Sequence, residues 1–148
     1  MFVGEFERAI DANGRVVLPA TFRDKLGGEI FLRLDPRGSL AITTPEQYEQ
    51  EAATLHAKVG AGEAPLEALE ALGASTSLIS IDKHGRITLD DKALAHSNIR
   101  PGRAVVFVGT VYGFSMWRPS RYATIAAERG EVVPTRIWEN EDDEDDDE

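Results

Sequence analysis

The pattern Ile-Asp-x-x-Gly-Arg occurs twice in this chain, in AIDANGRVVLP (residues 9–19) and in SIDKHGRITLD (residues 80–90). Alternating apolar residues follow it both times. A tight turn calls for Gly, which enters the left-handed backbone region without steric cost. Nothing in a turn calls for Arg after it, so the repeated Gly-Arg needs a reason outside the turn. The doubling extends well beyond the motif. IFLRLDPRGSLAI parallels VVFVGTVYGFSMW, with turns ending at Gly38 and Gly113. TPEQYEQEA parallels RPSRYATIA, with Pro45 and Tyr48 matching Pro119 and Tyr122. Two copies of one unit make up most of the chain, and that governs every later reading of the fold.

Each unit reads as strand, hairpin turn, strand, short helix, strand, turn, strand, helix. In the first, EFERAI and RVVLP flank a turn on Asn13-Gly14, two residues that tolerate positive φ. Pro19 ends the second strand and suits the first turn of a helix PATFRDKL, closed by Gly27-Gly28. EIFLRL and SLAIT are strands around the turn Asp35-Pro36-Arg37-Gly38. PEQYEQEAATLHAKV puts Tyr48, Ala52, Leu55 and Val59 on one helical face. PLEALEAL is a further short helix with Gly73 as its stop, and residues 60–64 and 73–76 are linkers. Strands this short, four to a unit, cannot bury both faces alone. The repeat therefore predicts intimate packing between the copies, or between several chains.

The 148 residues carry a net charge of −10, but the last ten, ENEDDEDDDE, hold nine of the acids and no base. Without them the body has 17 acidic against 16 basic residues, so its charge is set by local clusters rather than by the average. A run of like charge repels itself, and the tail is expected to be disordered. With no Cys there is no disulfide framework or thiolate metal site. No apolar run approaches the roughly 20 residues of a membrane span. The opening MFVGEFERAI meets acid within five positions and does not read as a secretory signal, so a cytoplasmic protein is expected. His56, His84 and His96 fall at no ligand spacing, and there is no paired-carboxylate constellation, phosphate loop or Gly-x-Ser-x-Gly. No enzyme, cofactor, metal or small-molecule substrate is expected.

DANGRVVLPATFRDKLG resembles the signature of AbrB-like swapped-hairpin DNA-binding domains: Asp, Gly, Arg, alternating apolars, Pro, then Arg and Leu in a helix. With the opening MFVG, the doubled unit and VGTVYGFSMW, residues 1 to about 127 resemble the MraZ family of bacterial transcriptional regulators. The resemblance implies an α+β fold, a tandem pseudo-twofold repeat of AbrB-like swapped-hairpin β-barrel units with short helices. The corresponding divisions are a first unit at 1–55, a helical bridge at 56–76, a second unit at 77–130 and a C-terminal extension at 131–148. It also implies a homo-oligomeric ring, associated with the nucleoid, that presents hairpin arginines to spaced G-rich direct repeats in double-stranded DNA upstream of the division and cell-wall operon. The chain departs from the family pattern at Asn13, where Lys is frequent. It departs again in the second unit at Asp90 and Leu94, the counterparts of Pro19 and Arg23, and in its acidic bridge helix.

The residues support DNA binding independently. An Arg just after a hairpin turn sits at the end of a two-stranded ribbon narrow enough for a major groove. Its planar fork takes guanine O6 and N7, or a phosphate, in two parallel hydrogen bonds. Arg15 and Arg86 are the primary candidates, with Lys83, His84 and Arg8 as further DNA contacts. Asp11, Gly14, Asp82 and Gly85 shape the turns, each Asp orienting its Arg. Arg8, Arg23 and Lys25 also read as solvated surface, and Arg23 as a structural arginine bridging the units. A second class of function is an antitoxin or scaffold module whose acidic tail binds a basic protein partner. Ile137 and Trp138, just before the tail, would anchor on that partner or pack on their own domain.

Overall fold

The computed structural model describes residues 1–130; the expected C-terminal extension and its acidic tail lie outside the described residues. The first half runs β1 (Glu5–Ala9), β2 (Arg15–Val17), α1 (Ala20–Arg23), β3 (Glu29–Leu34), β4 (Leu40–Thr43) and α2 (Pro45–Gly60). After α3 (Leu66–Ala74) the same order returns as β5 (Thr76–Ser80), β6 (Arg86–Thr88), α4 (Asp91–Ser97), β7 (Ala104–Gly109), β8 (Phe114–Trp117) and α5 (Pro119–Arg129). The class is α+β with antiparallel pairing throughout.

Six strands form one sheet in the order β1-β7-β8-β4-β3-β5, and β2 pairs with β6 in a separate ribbon. Exchanging the halves, β1 for β5, β2 for β6, β3 for β7 and β4 for β8, maps this pairing onto itself. Each half's first strand lies beside the third strand of the other half: Phe6 pairs with Phe107, and Ser77 with Leu32. The central strands meet across the axis, with Leu40 opposite Met116. Packing between the copies, expected because short strands cannot cover themselves, is thus achieved within one chain.

The alternation of side chains in each strand supplies the core. Ile30, Leu32, Leu40, Ile42, Val105, Phe107, Phe114 and Met116 are all buried, in one cluster with Val16 and Ile87 of the ribbon and Phe22 of α1. The opposite face is lined by helices. Tyr122 of α5 packs with Val108 and Trp117, and Tyr48 of α2 stacks on Phe31 at 4.3 Å. On α2, Tyr48, Ala52, Leu55 and Val59 are half-buried, matching the face read from their spacing.

Two helix boundaries differ from expectation. Helix α1 stops at Arg23 instead of reaching Leu26, because Lys25 N and Leu26 N bond three residues back, to Phe22 and Arg23 carbonyls, and tighten the chain into a turn. Helix α3 runs through Gly73 to Ala74; an interior Gly costs only about 1 kcal/mol, and Ser75 Oγ and Thr76 Oγ1 cap the Leu72 carbonyl at 3.2 and 2.6 Å.

Candidate nucleic-acid interface

Both motif copies fold into the same turn. Asp11 N donates to Arg15 O (2.9 Å) and Gly14 N to Asp11 O (3.1 Å). One carboxylate oxygen, Asp11 Oδ1, accepts from Asn13 N and Arg15 N, both at 2.9 Å. The other, Oδ2, accepts from Arg15 Nε at 2.8 Å. The second copy repeats each bond: Asp82 Oδ1 accepts from His84 N (2.8 Å) and Arg86 N (2.9 Å), and Oδ2 from Arg86 Nε (2.9 Å). The motif spacing is thereby explained. Asp binds the turn amides with one oxygen and the following Arg with the other, so the guanidinium is steered by the residue that shapes the turn.

The glycines complete it. Gly14 and Gly85 sit at φ +80° and +76°, and a Cβ on Gly14 would lie 2.9 Å from the Leu89 carbonyl oxygen. That oxygen belongs to the other half, which also bonds back: Leu89 N donates to Gly14 O and Leu18 N to Gly85 O, each at 2.9 Å. The turns lock reciprocally onto each other's strands.

This pairing changes the expected presentation of the arginines. Neither copy makes a free-standing two-stranded hairpin: β1 meets β2 at the single bridge Ile10–Val16, and the strand carrying each Arg pairs with its counterpart. Arg15 lies opposite Thr88 and Arg86 opposite Val17. Opposed residues share a face, so both arginines point out from one ribbon while Val16 and Ile87 point into the core. The register makes Arg15 and Arg86 diagonal neighbours, residues that stand about 7–8 Å apart in an antiparallel pair and somewhat closer at Cβ. Each Nε–H is held by its Asp, and among the described residues no hydrogen bond engages the Nη groups. The open end of each fork faces outward.

Electrostatics matches the geometry. The N–H of Arg86, opposed by some burial and reinforced by the Arg86 side chain and His84 N–H, pulls the Asp82 carboxyl from 3.8 to about 2. Asp11 is lowered in the same sense, with the Arg15 N–H as the largest cause. Both carboxylates are ionised at neutral pH and neutralised locally by their partners, which keeps them from repelling a phosphate.

The turns have different surroundings. Lys83 and His84 are exposed at the tip of the second, while Ala12 and Asn13 occupy the first. Arg23, from α1 of the first half, reaches across to the second turn, where its Nη2 donates to Lys83 O at 3.4 Å. Its guanidinium lies 2.6–2.8 Å from where a Cβ on Gly85 would stand. Its counterpart at the first turn is Leu94, 3.9 Å from the corresponding position on Gly14. Of the two roles open to Arg23, the geometry gives the bridging one, and no local signal in the sequence points to this contact. Arg8 stands apart: it lies on β1, bonds to Glu7 O at 2.8 Å and covers the Phe6 ring at 5.6 Å. No hydrogen bond joins it to either turn.

Residues 1–63 match the family model described as "MraZ protein, putative antitoxin-like". Relatives that carry the name "Transcriptional regulator MraZ" include the following three. The protein of Lachnoclostridium phytofermentans is 30% identical over 82% of this chain and 84% of its own length. That of Mycolicibacterium vanbaalenii is 32% identical over 79% and 81%, and that of Hyphomonas neptunium is 34% identical over 83% and 76%.

Proposed function

Because this chain belongs to the MraZ family, whose relatives are named transcriptional regulators rather than enzymes, we propose that it is a DNA-binding transcriptional regulator that reads duplex DNA with the outward face of the β2–β6 ribbon. The observation that carries the reading is the Asp–Arg clamp, built bond for bond at both turns. A clamp that spends one carboxylate on aiming each Arg, and leaves its Nη groups open, suits bidentate recognition of guanine or phosphate. Lys83, His84 and Arg23 would add phosphate contacts beside Arg86. Arg8 would contribute only if DNA extends over the β1 edge.

One ribbon offers few cations, and a few phosphate contacts give dissociation constants of only about 10⁻⁴ to 10⁻⁶ M. Useful affinity calls for several ribbons at fixed spacing. The finer reading is therefore a closed homo-oligomeric ring, larger than a tetramer, that engages spaced G-rich direct repeats before the division and cell-wall operon and acts at the nucleoid. Units at 1–55 and 77–130 joined by a bridge at 56–76 remain our division of the repeat, although α2 crosses its first boundary.

Binding anisotropy on the promoter fragment of the chain's own operon tests the reading. Arg15→Ala and Arg86→Ala should each cost about 1–3 kcal/mol for every base the guanidinium no longer reads, with the protein still folded and its melting temperature lowered only by the small loss of the Asp–Arg bond. Arg15→Lys should fail too, since an ammonium cannot fork. Wild-type affinity in the double Ala variant would overturn it.

A further inference from the structure

The exchange of halves that preserves the strand pairing does not preserve what lies beneath the sheet edges. In the first half Phe6 and Phe22 meet edge-to-face at 5.3 Å, and Phe2 packs against Phe22 at 5.6 Å. The places of Phe6 and Phe22 are taken in the second half by Ser77 and Ala93, as the registers Phe6–Phe107 and Ser77–Leu32 and the 71-residue offset of the motifs require. Two phenyl groups are missing there. What remains is a half-open cleft of about 130 Å³, lined by Leu32, Leu34, Ser77, Leu78, Ile79 and Ala93. Thr88 of the ribbon and Lys92 stand at its border, and Leu78 is 54% exposed.

We propose that this cleft seats the side chain of Trp138, from the segment EVVPTRIW that follows α5, and so delivers the acidic run 139–148 onto the arginine-bearing ribbon. The first half shows what chemistry fills the space: aromatic rings. Trp138 is the only aromatic residue after Gly130. Reach permits it. Arg129, at the end of α5, bonds to Tyr122, which bonds to Glu5 on β1. β1 touches β2, and β5 touches β6, so the ribbon spans the gap between the two sheet edges. Three strand spacings make that gap about 15 Å, and eight extended residues cover about 26 Å.

The neighbouring edge suits an incoming strand. Among the described residues β5 has β3 as its only ladder partner and, as TSLIS, it carries neither charge nor Pro, the usual protections of an exposed edge. Val132, Val133, Thr135 and Ile137 are β-branched residues that favour such pairing. Charge completes the fit. Nine carboxylates begin immediately after Trp138. At the border of the cleft stand Lys92 and Asp90, whose carboxylate is engaged by the Ala93 N–H as the cap of α4, and Thr88, two residues along β6 from Arg86. Anchored there, the tail competes with phosphate for the ribbon from within the same chain, a contest that salt weakens.

The consequence for DNA rests on the proposed function; the docking itself does not. In the full chain, acrylamide quenching of Trp138, taken as the difference from Trp138→Ala, should show a shielded ring. Ala93→Phe, which supplies the missing phenyl, should expose it, and so should Ser77→Glu, which puts a carboxylate at the exposed position opposite Leu32 where the first half has Phe6 and keeps the test alive if Ala93→Phe does not fold. Equal quenching in all three proteins overturns the docking, and shielding that grows with protein concentration overturns docking within one chain. At low salt either variant should tighten DNA binding about three- to tenfold, as far as deletion of 139–148 does and with no further gain when combined with it. Tightening by the deletion alone overturns the anchored delivery. A shielded Trp138 in a protein that does not bind DNA would instead leave the docking standing and remove the proposed function.

Discussion

The two halves of this chain share one set of backbone bonds and differ in nearly everything attached to it. Turn for turn, Asp11 and Asp82 make the same three hydrogen bonds, and the strands pair in a pattern unchanged when the halves are exchanged. Around that frame the first half buries Phe2 and Phe22 and packs the half-buried Phe6 against them where the second has small residues and a cleft. The charge at matching positions runs the other way: the second turn has Lys83, His84, Arg86 and the borrowed Arg23 where the first has Ala12, Asn13, Arg15 and Leu94. The turn and its Arg are what the two halves share, whereas the packing behind them and the charge around them differ. The turn with the denser aromatic core behind it carries fewer cations at the matched positions.

The difference in packing breaks most readily. Phe22 is 1% exposed and touches Phe2, Phe6 and Phe114, the last at 4.7 Å. Phe22→Ala recreates in the first half the void that the second half has, and should cost about 3–5 kcal/mol in urea denaturation. Ala93→Phe is the reverse exchange and should gain no more than about 2 kcal/mol, because Leu34, where the first half has Gly109, already takes part of the space. A cost below about 1 kcal/mol for Phe22→Ala would mean that the aromatic cluster does not hold this half together.

The sequence carried the local part of this fold. Asn13-Gly14 and the alternation Arg15-Val16-Val17 placed the turn and pointed Arg15 away from the core, and the offset of the motifs placed Arg86 likewise. Which strand β1 pairs with is not legible from the residues themselves, because nothing in β1 distinguishes β3 from β7, two six-residue strands with alternating apolar side chains; only the resemblance to swapped-hairpin domains points to an exchange. That choice moved the arginines from two hairpin tips to one ribbon. Arg23 illustrates the same limit. Its place on α1 is legible, but its bond to Lys83 O spans 60 residues and depends on the exchange. Gly73, a stop signal in sequence, fails to end α3 because the hydroxyls of Ser75 and Thr76 cap the helix just beyond it.

The unequal fields are separable by salt dependence. Each phosphate contact contributes about 0.9 to the slope of log affinity against log salt concentration. Arg23→Ala should lower that slope by about one contact for every ribbon engaged, with little change in preference among sequences. Leu94→Arg places the missing cation beside the first turn and should raise the slope by the same amount. If Arg23→Ala leaves the slope untouched while Arg86→Ala abolishes binding, Arg23 only braces the turn and the second half owes its field to Lys83 and Arg86.

The smallest effect tests what the halves have in common. The Asp82 carboxyl is held at about 2, down from 3.8, chiefly by the Arg86 N–H, so its charge is worth more to the folded chain than to the unfolded one. A depressed pKa contributes stability that is fully present above about pH 4 and fades as pH falls toward 2. Asp82→Asn keeps an oxygen for the turn amides but replaces the acceptor of Arg86 Nε with a donor. The variant should be slightly less stable than wild type near neutral pH, by an amount that is constant down to about pH 5 and vanishes near the folded pKa. Asp11→Asn should behave in the same direction, because the Arg15 N–H lowers Asp11 in the same way. Thermal melts of both variants across that range, with carboxyl titration of the wild type followed by NMR, measure the two clamps side by side. A gap that persists unchanged at pH 2 would show that Asp82 acts through its shape rather than its charge, and the ion pair would then aim Arg86 without helping to hold the turn.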